Sequence, residues 1–162
     1  MQNLATALHL DIGFLFKKQS AFDTGITALR NTDPVLAGYL QTTRDSWSGS
    51  LVHRRNEIEH TGWTLPRVGY EQVCNGVKAH EPLIDGTPLT EFVSFMLDRL
   101  CCFVEEFTAY GLQKQMPREI MIREIPPTER PADMQERFRV TLTNGGHAPW
   151  KLAYHGSRFE DT

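Results

Sequence analysis

The sequence has little cysteine, and its three cysteines form no recognisable pattern. Cys101 and Cys102 are adjacent and Cys74 stands alone, so neither a paired disulfide framework nor the Cys-x-x-Cys spacing of a zinc knuckle is present. The adjacent pair lies in an apolar run with helical character, where cysteine behaves as a small hydrophobic residue. We therefore expect a cytoplasmic protein in a reducing compartment, with no resident metal or other cofactor.

A long uninterrupted apolar run is also missing. The most apolar segment, residues 92–107, is interrupted by Asp98, Arg99, Glu105 and Glu106, so it is too short and too charged to cross a bilayer. The first residues lack the basic region and apolar stretch of a signal peptide. We expect no membrane partner.

Neither sign of charge is in large excess. The 17 basic and 20 acidic residues give a formal net charge of −3, which provides no global attraction to nucleic acid or to an anionic membrane. Any contact with RNA would therefore require a local basic patch. The 162 residues, with 40% hydrophobic and 23% charged side chains, are typical of one globular domain spanning 1–162.

Apolar residues at helical spacing fill the first two thirds of the chain and predict long helices near 2–30, 34–61 and 88–115. Asp33-Pro34 and Thr87-Pro88 each place a capping residue before a proline, which suits a helix start. Residues 66–86 show no clear periodicity. The fold class we expect is mainly α, with a helical bundle over residues 1–116.

The last third of the chain changes character. Residues 120–125 and 138–142 alternate between apolar and polar side chains, as a half-buried strand does. Asn144-Gly145-Gly146 is a turn signal, and residues 150–154 return as a possible hairpin partner. We predict a small antiparallel sheet near 120–155, within a β appendage over 117–162, which makes the fold α+β overall.

The segment that can carry chemistry lies late in the second predicted helix. On an ideal helix, Arg55 and His60 are about 140° apart and Asn56 lies between them, so a cleft over Asn56 would be flanked by both. The same helix has an apolar stripe that we expect to face the core, formed by Trp47, Leu51 and Ile58.

These three residue types suit phosphate chemistry. The guanidinium of Arg55 can neutralise and orient a phosphate, and the imidazole of His60 can transfer a proton at neutral pH. The amide of Asn56 can orient a side chain or the substrate. Cleavage of RNA by its own 2'-hydroxyl needs these roles and no metal.

Arg55-Asn56-x-x-x-His60 resembles the R-x4-6-H motif of the HEPN superfamily, including the polar residue that commonly follows the arginine. The resemblance implies a HEPN-like helical bundle and a two-fold homodimer, in which Arg55, Asn56 and His60 of both copies form one composite site. It implies a metal-independent endoribonuclease, in a defence or stress setting, with RNA and an antitoxin or regulatory protein as partners. The core stripe does not need the Val52 and Asn56 side of this helix, and a dimer would also fit that observation.

Three alternatives remain open. The bundle can be a noncatalytic RNA-binding or protein-interaction module of the same superfamily. Arg55 can simply pair with Glu59 one helical turn later, with His60 favoured only by the helix dipole. A metal-binding bundle is the third, since His53, Glu57 and His60 share a helical stripe and Glu57 begins a Glu-x-x-His sequence, although the chain has no second such sequence.

Overall fold

The computed structural model describes residues 2–130 and 136–142, and the described residues are mainly helical with small antiparallel sheets, as predicted. The helices are α1 (Gln2–Ala7), α2 (Gln19–Thr32), α3 (Pro34–Thr43), α4 (Gly49–His60) and α5 (Leu89–Gln115). The strands pair as β1 (Gly69–Val73) with β2 (Gly76–His80), β3 (Leu83–Ile84) with β4 (Thr87–Pro88), and β5 (Ile120–Glu124) with β6 (Phe138–Leu142).

The hydrophobic core lies between α1, α2, α3 and α5. Phe22, Leu36 and Phe107 are completely buried, and Phe103 is 1% exposed. The ring of Phe103 stacks on that of Phe107 at 5.7 Å between centroids and on that of Tyr39 at 5.9 Å. These rings hold the middle of α5 against α3.

The predicted helix over 2–30 is wrong in its middle. Residues 8–18 are not helical, and His9 adopts a left-handed backbone with φ of 53°. Leu8, Ile12 and Leu15 are nevertheless buried, with 7%, 4% and 0% exposure. Their spacing of three and four correctly indicates burial, but here a turning backbone rather than a helix provides it.

The second predicted helix is one continuous rod with a local irregularity. Asp33 caps it by accepting a hydrogen bond from the backbone N–H of Leu36 at 3.0 Å. Residues Arg44–Ser48 form a π-helical turn between α3 and α4, closed by a hydrogen bond from the N–H of Gly49 to the carbonyl of Arg44. A π turn contains one more residue than an α turn, so the positions after it are rotated by about 100° relative to an ideal helix.

The predicted core stripe is confirmed for Trp47 and Leu51, but it is wrong for Ile58. Trp47, before the end of the π turn, is buried at 2% exposure, whereas Ile58 is 54% exposed. Leu51 is half-buried, and Val52 takes the buried position at 5% exposure. Of the Val52 and Asn56 side of the helix, which the predicted stripe leaves free, Val52 is buried and Asn56 is exposed.

The region without periodicity forms two short hairpins, and the second of these includes Thr87 and Pro88, so α5 begins at Leu89 without a side-chain cap from Thr87. All ten residues of β1 and β2 are exposed, with Gly69 opposite His80 and Val73 opposite Gly76. Neither face of this hairpin is buried, so burial did not impose an alternation of apolar and polar residues along both strands.

The antiparallel sheet predicted near 120–155 is present in part, because β5 pairs with β6 and Ile120 lies opposite Leu142. The predicted turn at 144–146 and the strand at 150–154 lie outside the described residues. The sheet is attached to the bundle by the buried Arg137, which pairs with Glu106 on α5 and with Glu124 on β5. The hydroxyl of Tyr39 on α3 donates to the same Glu106.

None of the described helices combines the length and the apolar character that a membrane span requires.

Asp33 is a second buried link between helices. Its carboxylate accepts hydrogen bonds from the hydroxyl of Tyr110 at 2.7 Å and from the ammonium of Lys114 at 2.5 Å, both on α5. Burial alone would raise the pKa of Asp33, but the hydrogen bonds from Lys114, Leu36 and Tyr110 together lower it below its ordinary value. The ionised carboxylate therefore stabilises the folded state.

We predict that Asp33 contributes to the acid sensitivity of the protein. A lowered pKa in the folded state means that the unfolded chain binds more protons, so this contribution is present above the ordinary value of 3.8 and is lost as pH falls below it. Asp33→Asn should keep a helix cap but flatten the pH dependence of stability in that range. Denaturant unfolding between pH 6 and 2.5 measures this, with the exposed Asp45→Asn as control. Identical pH profiles for Asp33→Asn and the wild type would contradict the assignment.

Candidate functional site

Helix α4 ends sharply, immediately after the motif. The hydroxyl of Thr61 donates to the carbonyl of Glu57 at 2.7 Å, and its backbone N–H donates to the same carbonyl at 3.0 Å. Gly62 then turns the chain with a left-handed φ of 70°, a conformation that glycine adopts without strain. The motif therefore occupies the last two turns of the helix, close to its negatively polarised end.

Arg55, Asn56 and His60 line one groove with a volume of about 450 Å³. All three side chains are exposed, consistent with a surface site rather than a core position. The rest of the lining comes from Val52 on the same helix, from Ala21 on α2 and from the end of the α1–α2 connection, residues 16–18. The structure thus brings the three predicted site residues together on one concave surface.

The groove is a local basic patch on a chain of net negative charge. Lys17 and Lys18 lie in its lining with Arg55 and His60, so two separate parts of the chain contribute basic side chains. Among the described residues that line the groove, none is acidic. Phe16 adds an aromatic ring beside the two lysines. Such a surface can attract a phosphate backbone without help from the overall charge.

Arg44 holds the lysine wall of the groove in place. It is buried at 7% exposure, and its guanidinium donates to the carbonyl of Leu15 at 3.1 Å and to the side-chain oxygen of Gln19 at 3.4 Å. The same guanidinium lies 5.2 Å from the centre of the Phe22 ring. These contacts bracket Lys17 and Lys18, and so they fix the lysines relative to the helical rod.

The adjacent arginines of α4 have different surroundings. The side chain of Arg54 is 17% exposed, and it pairs with Asp85 in the β3–β4 turn and with Glu57 at 2.7 Å. Its guanidinium also lies 5.6 Å from the centre of the Trp63 ring. Arg55 is 59% exposed and faces the groove. Arg54 therefore anchors the motif helix to a neighbouring turn, whereas Arg55 lies at the surface of the groove.

Glu59 is the acidic group nearest to the motif. Its carboxylate accepts hydrogen bonds from Nε and a terminal nitrogen of Arg55 at 2.9 and 3.1 Å, and it lies 3.9 Å from Nε2 of His60. The bond from Arg55 lowers the pKa of Glu59, and the same pair raises the pKa of Arg55. Both side chains thus remain charged at neutral pH. The structure therefore contains the Arg55–Glu59 pair that the second alternative, in which Arg55 only pairs with a residue one turn later, predicts.

The metal interpretation finds no counterpart in the described residues. Across 2–130 and 136–142, no three histidine, cysteine, aspartate or glutamate side chains are grouped so as to hold a metal ion. Glu57 instead pairs with Arg54, and its other oxygen lies 3.5 Å from Nε2 of His53. The His53, Glu57 and His60 spacing therefore reflects surface ion pairing in this structure.

Sequence reasoning missed the second wall of the groove. Lys17 and Lys18 fall within the helix predicted over 2–30, and nothing in the sequence distinguishes Arg44 and Arg54 from other surface arginines. A pair of adjacent lysines beside an aromatic residue was the available signal for the wall. Its position opposite α4 depends on a contact between residues 29 positions apart.

Comparison with known proteins identifies no relative. No protein-family model matches the chain, and neither a curated protein nor a solved structure shows significant similarity to it. The HEPN resemblance therefore depends on the motif and on its helical context.

The two arginines provide a direct check of this site. Arg54→Ala should lower the midpoint of thermal unfolding by roughly 3 °C or more, because it removes the link between α4 and the β3–β4 turn. Arg55→Ala should change the midpoint by less than about 1 °C, since an exposed pair within one helix contributes little. Thermal melts followed by circular dichroism measure both. Equal losses for the two variants would show that Arg55 is a structural residue.

Proposed function

We propose that the protein binds RNA in this groove and cleaves it there without a metal ion, as a HEPN-like endoribonuclease. One observation carries the proposal: Arg55, Asn56 and His60 line the same groove as Lys17 and Lys18. An arginine fork and two lysines suit successive phosphates of a nucleic acid. The histidine provides a proton-transfer group beside them.

In the proposed reaction the RNA supplies its own nucleophile. His60 accepts the proton of the 2'-hydroxyl, and the 2'-oxygen attacks the adjacent phosphorus. Arg55 stabilises the negative charge of the phosphorane, and Asn56 orients the phosphate. The bond from phosphorus to the 5'-oxygen then breaks, and that oxygen takes up a proton. The products carry a 2',3'-cyclic phosphate and a 5'-hydroxyl.

This chemistry favours a two-fold homodimer. The reaction needs a base for the 2'-hydroxyl and an acid for the leaving 5'-oxygen, whereas His60 is the one histidine among the described residues lining the groove. A second copy facing the first across a two-fold axis would supply the other histidine. Light scattering at micromolar concentration should report a dimer. A monomer would remove the composite site and leave RNA binding by a single groove.

The noncatalytic module is the second candidate, and the Arg55–Glu59 pair favours it. In this conformation the guanidinium fork that would hold a phosphate is already bound to a carboxylate. A module of this type would bind RNA through the lysine wall and would show no cleavage. Measuring RNA binding and RNA cleavage with the same purified protein distinguishes the two candidates.

We expect His60→Ala to reduce RNA cleavage by roughly 10²-fold or more, the usual effect of removing a general acid or base. Arg55→Ala should cause a loss of about 10²–10³-fold, because it removes a charge aimed at the phosphorane. Both variants should keep the wild-type melting temperature. Gel assays of a labelled RNA with end-group analysis of the products measure the rate and the chemistry.

His53→Ala is the matched control, since His53 is an exposed histidine on the same helix that does not line the groove. It should cleave at the wild-type rate, and EDTA should not inhibit any active variant. Cleavage that survives His60→Ala, or that requires a divalent cation, would exclude this mechanism and favour the binding module.

A further inference from the structure

Glu59 places a negative charge between the two main groups of the proposed site. Its carboxylate contacts the guanidinium of Arg55 through two hydrogen bonds of 2.9 and 3.1 Å and lies 3.9 Å from the imidazole of His60. A phosphate bound by the same fork would present two oxygens in the same way. The carboxylate thus makes the contacts that the anionic ligand would need.

We propose that Glu59 is an internal competitor for the ligand anion, so that RNA binds this groove by displacing the Glu59 carboxylate from Arg55. The identity of the ligand as RNA rests on the proposed function. The competition between Glu59 and an anion for Arg55 rests on the observed contacts alone. Glu59 is then a residue that determines affinity, not a catalytic residue.

The pair is suited to displacement. The side chains of Arg55 and Glu59 are 59% and 43% exposed, so water screens their attraction and can solvate the released carboxylate. Both belong to one helix, and no other element has to move for the pair to open. The pair therefore weakens binding by an amount that a ligand with several contacts can overcome.

The rest of the groove determines which ligands can displace Glu59 from Arg55. A single phosphate only replaces the Glu59 carboxylate at Arg55, so one anion is exchanged for another and little binding free energy is gained. A chain of phosphates also reaches Lys17 and Lys18, and each added contact strengthens the next because the ligand is already held. Glu59 should therefore weaken the binding of both kinds of anion to the same extent, and the contacts with Lys17 and Lys18 should allow an extended polyanion to bind where a free phosphate does not.

Glu57 offers a matched control on the same helix. It carries the same charge and forms similar ion pairs, with Arg54 at 2.7 Å and His53 at 3.5 Å, but neither of these partners lines the groove, whereas Arg55 and His60 do. Glu57→Gln therefore changes the net charge as Glu59→Gln does, without releasing Arg55. Any difference in affinity between the two variants is therefore due to the position of the carboxylate.

The test measures binding of two probes, a ten-nucleotide 2'-O-methyl RNA that lacks the attacking hydroxyl and inorganic pyrophosphate. Glu59→Gln should bind both roughly fivefold more tightly than the wild type, the effect of removing a like charge about 4 Å away in water. Glu57→Gln should match the wild type within about twofold. In an Arg55→Ala background, Glu59→Gln should give no gain, because the competition requires the guanidinium.

Each alternative result overturns the proposal. Equal gains for Glu59→Gln and Glu57→Gln would show a net-charge effect, and a gain that persists without Arg55 would show that Glu59 does not act through it. Absence of binding by every variant would show that releasing Arg55 creates no anion site. A gain with pyrophosphate in a protein that neither binds nor cleaves RNA would support the competition while contradicting the proposed function.

Discussion

The buried guanidinium of Arg44 is the interaction on which the groove depends. Residues 8–18 are not helical, and within this segment turns satisfy individual carbonyl groups, such as those of Ile12 and Phe14. Arg44 satisfies the carbonyl of Leu15 from inside the protein and covers the ring of Phe22. One side chain of the long rod thereby fixes the segment that carries Lys17 and Lys18.

The π turn acts together with Arg44, because the same residue begins it. The extra residue in this turn rotates α4, so that Val52 packs inward and Arg55, Asn56 and His60 line the groove. Gly49 permits the turn, since a Cβ at this position would lie 2.7 Å from the carbonyl oxygen of Arg44. Such turns are frequent at functional sites because they redirect side chains without ending a helix.

Local sequence signals were sufficient for part of this fold. Asp33-Pro34 determines a helix start through a side-chain cap and a fixed φ, and both act within a few residues. The alternation in β5 reports a partly buried face centred on Ile122, whereas the same pattern in β6 was misleading, because Val140 and Leu142 are 60% and 81% exposed. The break at 8–18 could not be predicted in this way, because the spacing of Leu8, Ile12 and Leu15 reports burial and is compatible with more than one backbone path.

The candidate site also has one part that local sequence signals predicted and another part that they did not. Arg55, Asn56 and His60 are close in sequence, so helical geometry alone predicted that a cleft over Asn56 would reach all three. The lysine wall depends on a contact across 29 residues, and the π turn changes the face of α4 without a distinctive local pattern. For that reason the prediction that Ile58 faces the core was wrong. The grouping of the motif residues does not depend on the rotation.

The central claim is that both walls of one groove contact the same nucleic acid. A titration of isotope-labelled protein with a short 2'-O-methyl RNA, followed by amide and guanidinium NMR signals, tests it most directly. The account predicts that residues 16–18 and 55–60 shift together, with one dissociation constant and a strong dependence on salt. Shifts confined to one wall, or located instead on the exposed β1–β2 hairpin, would contradict it.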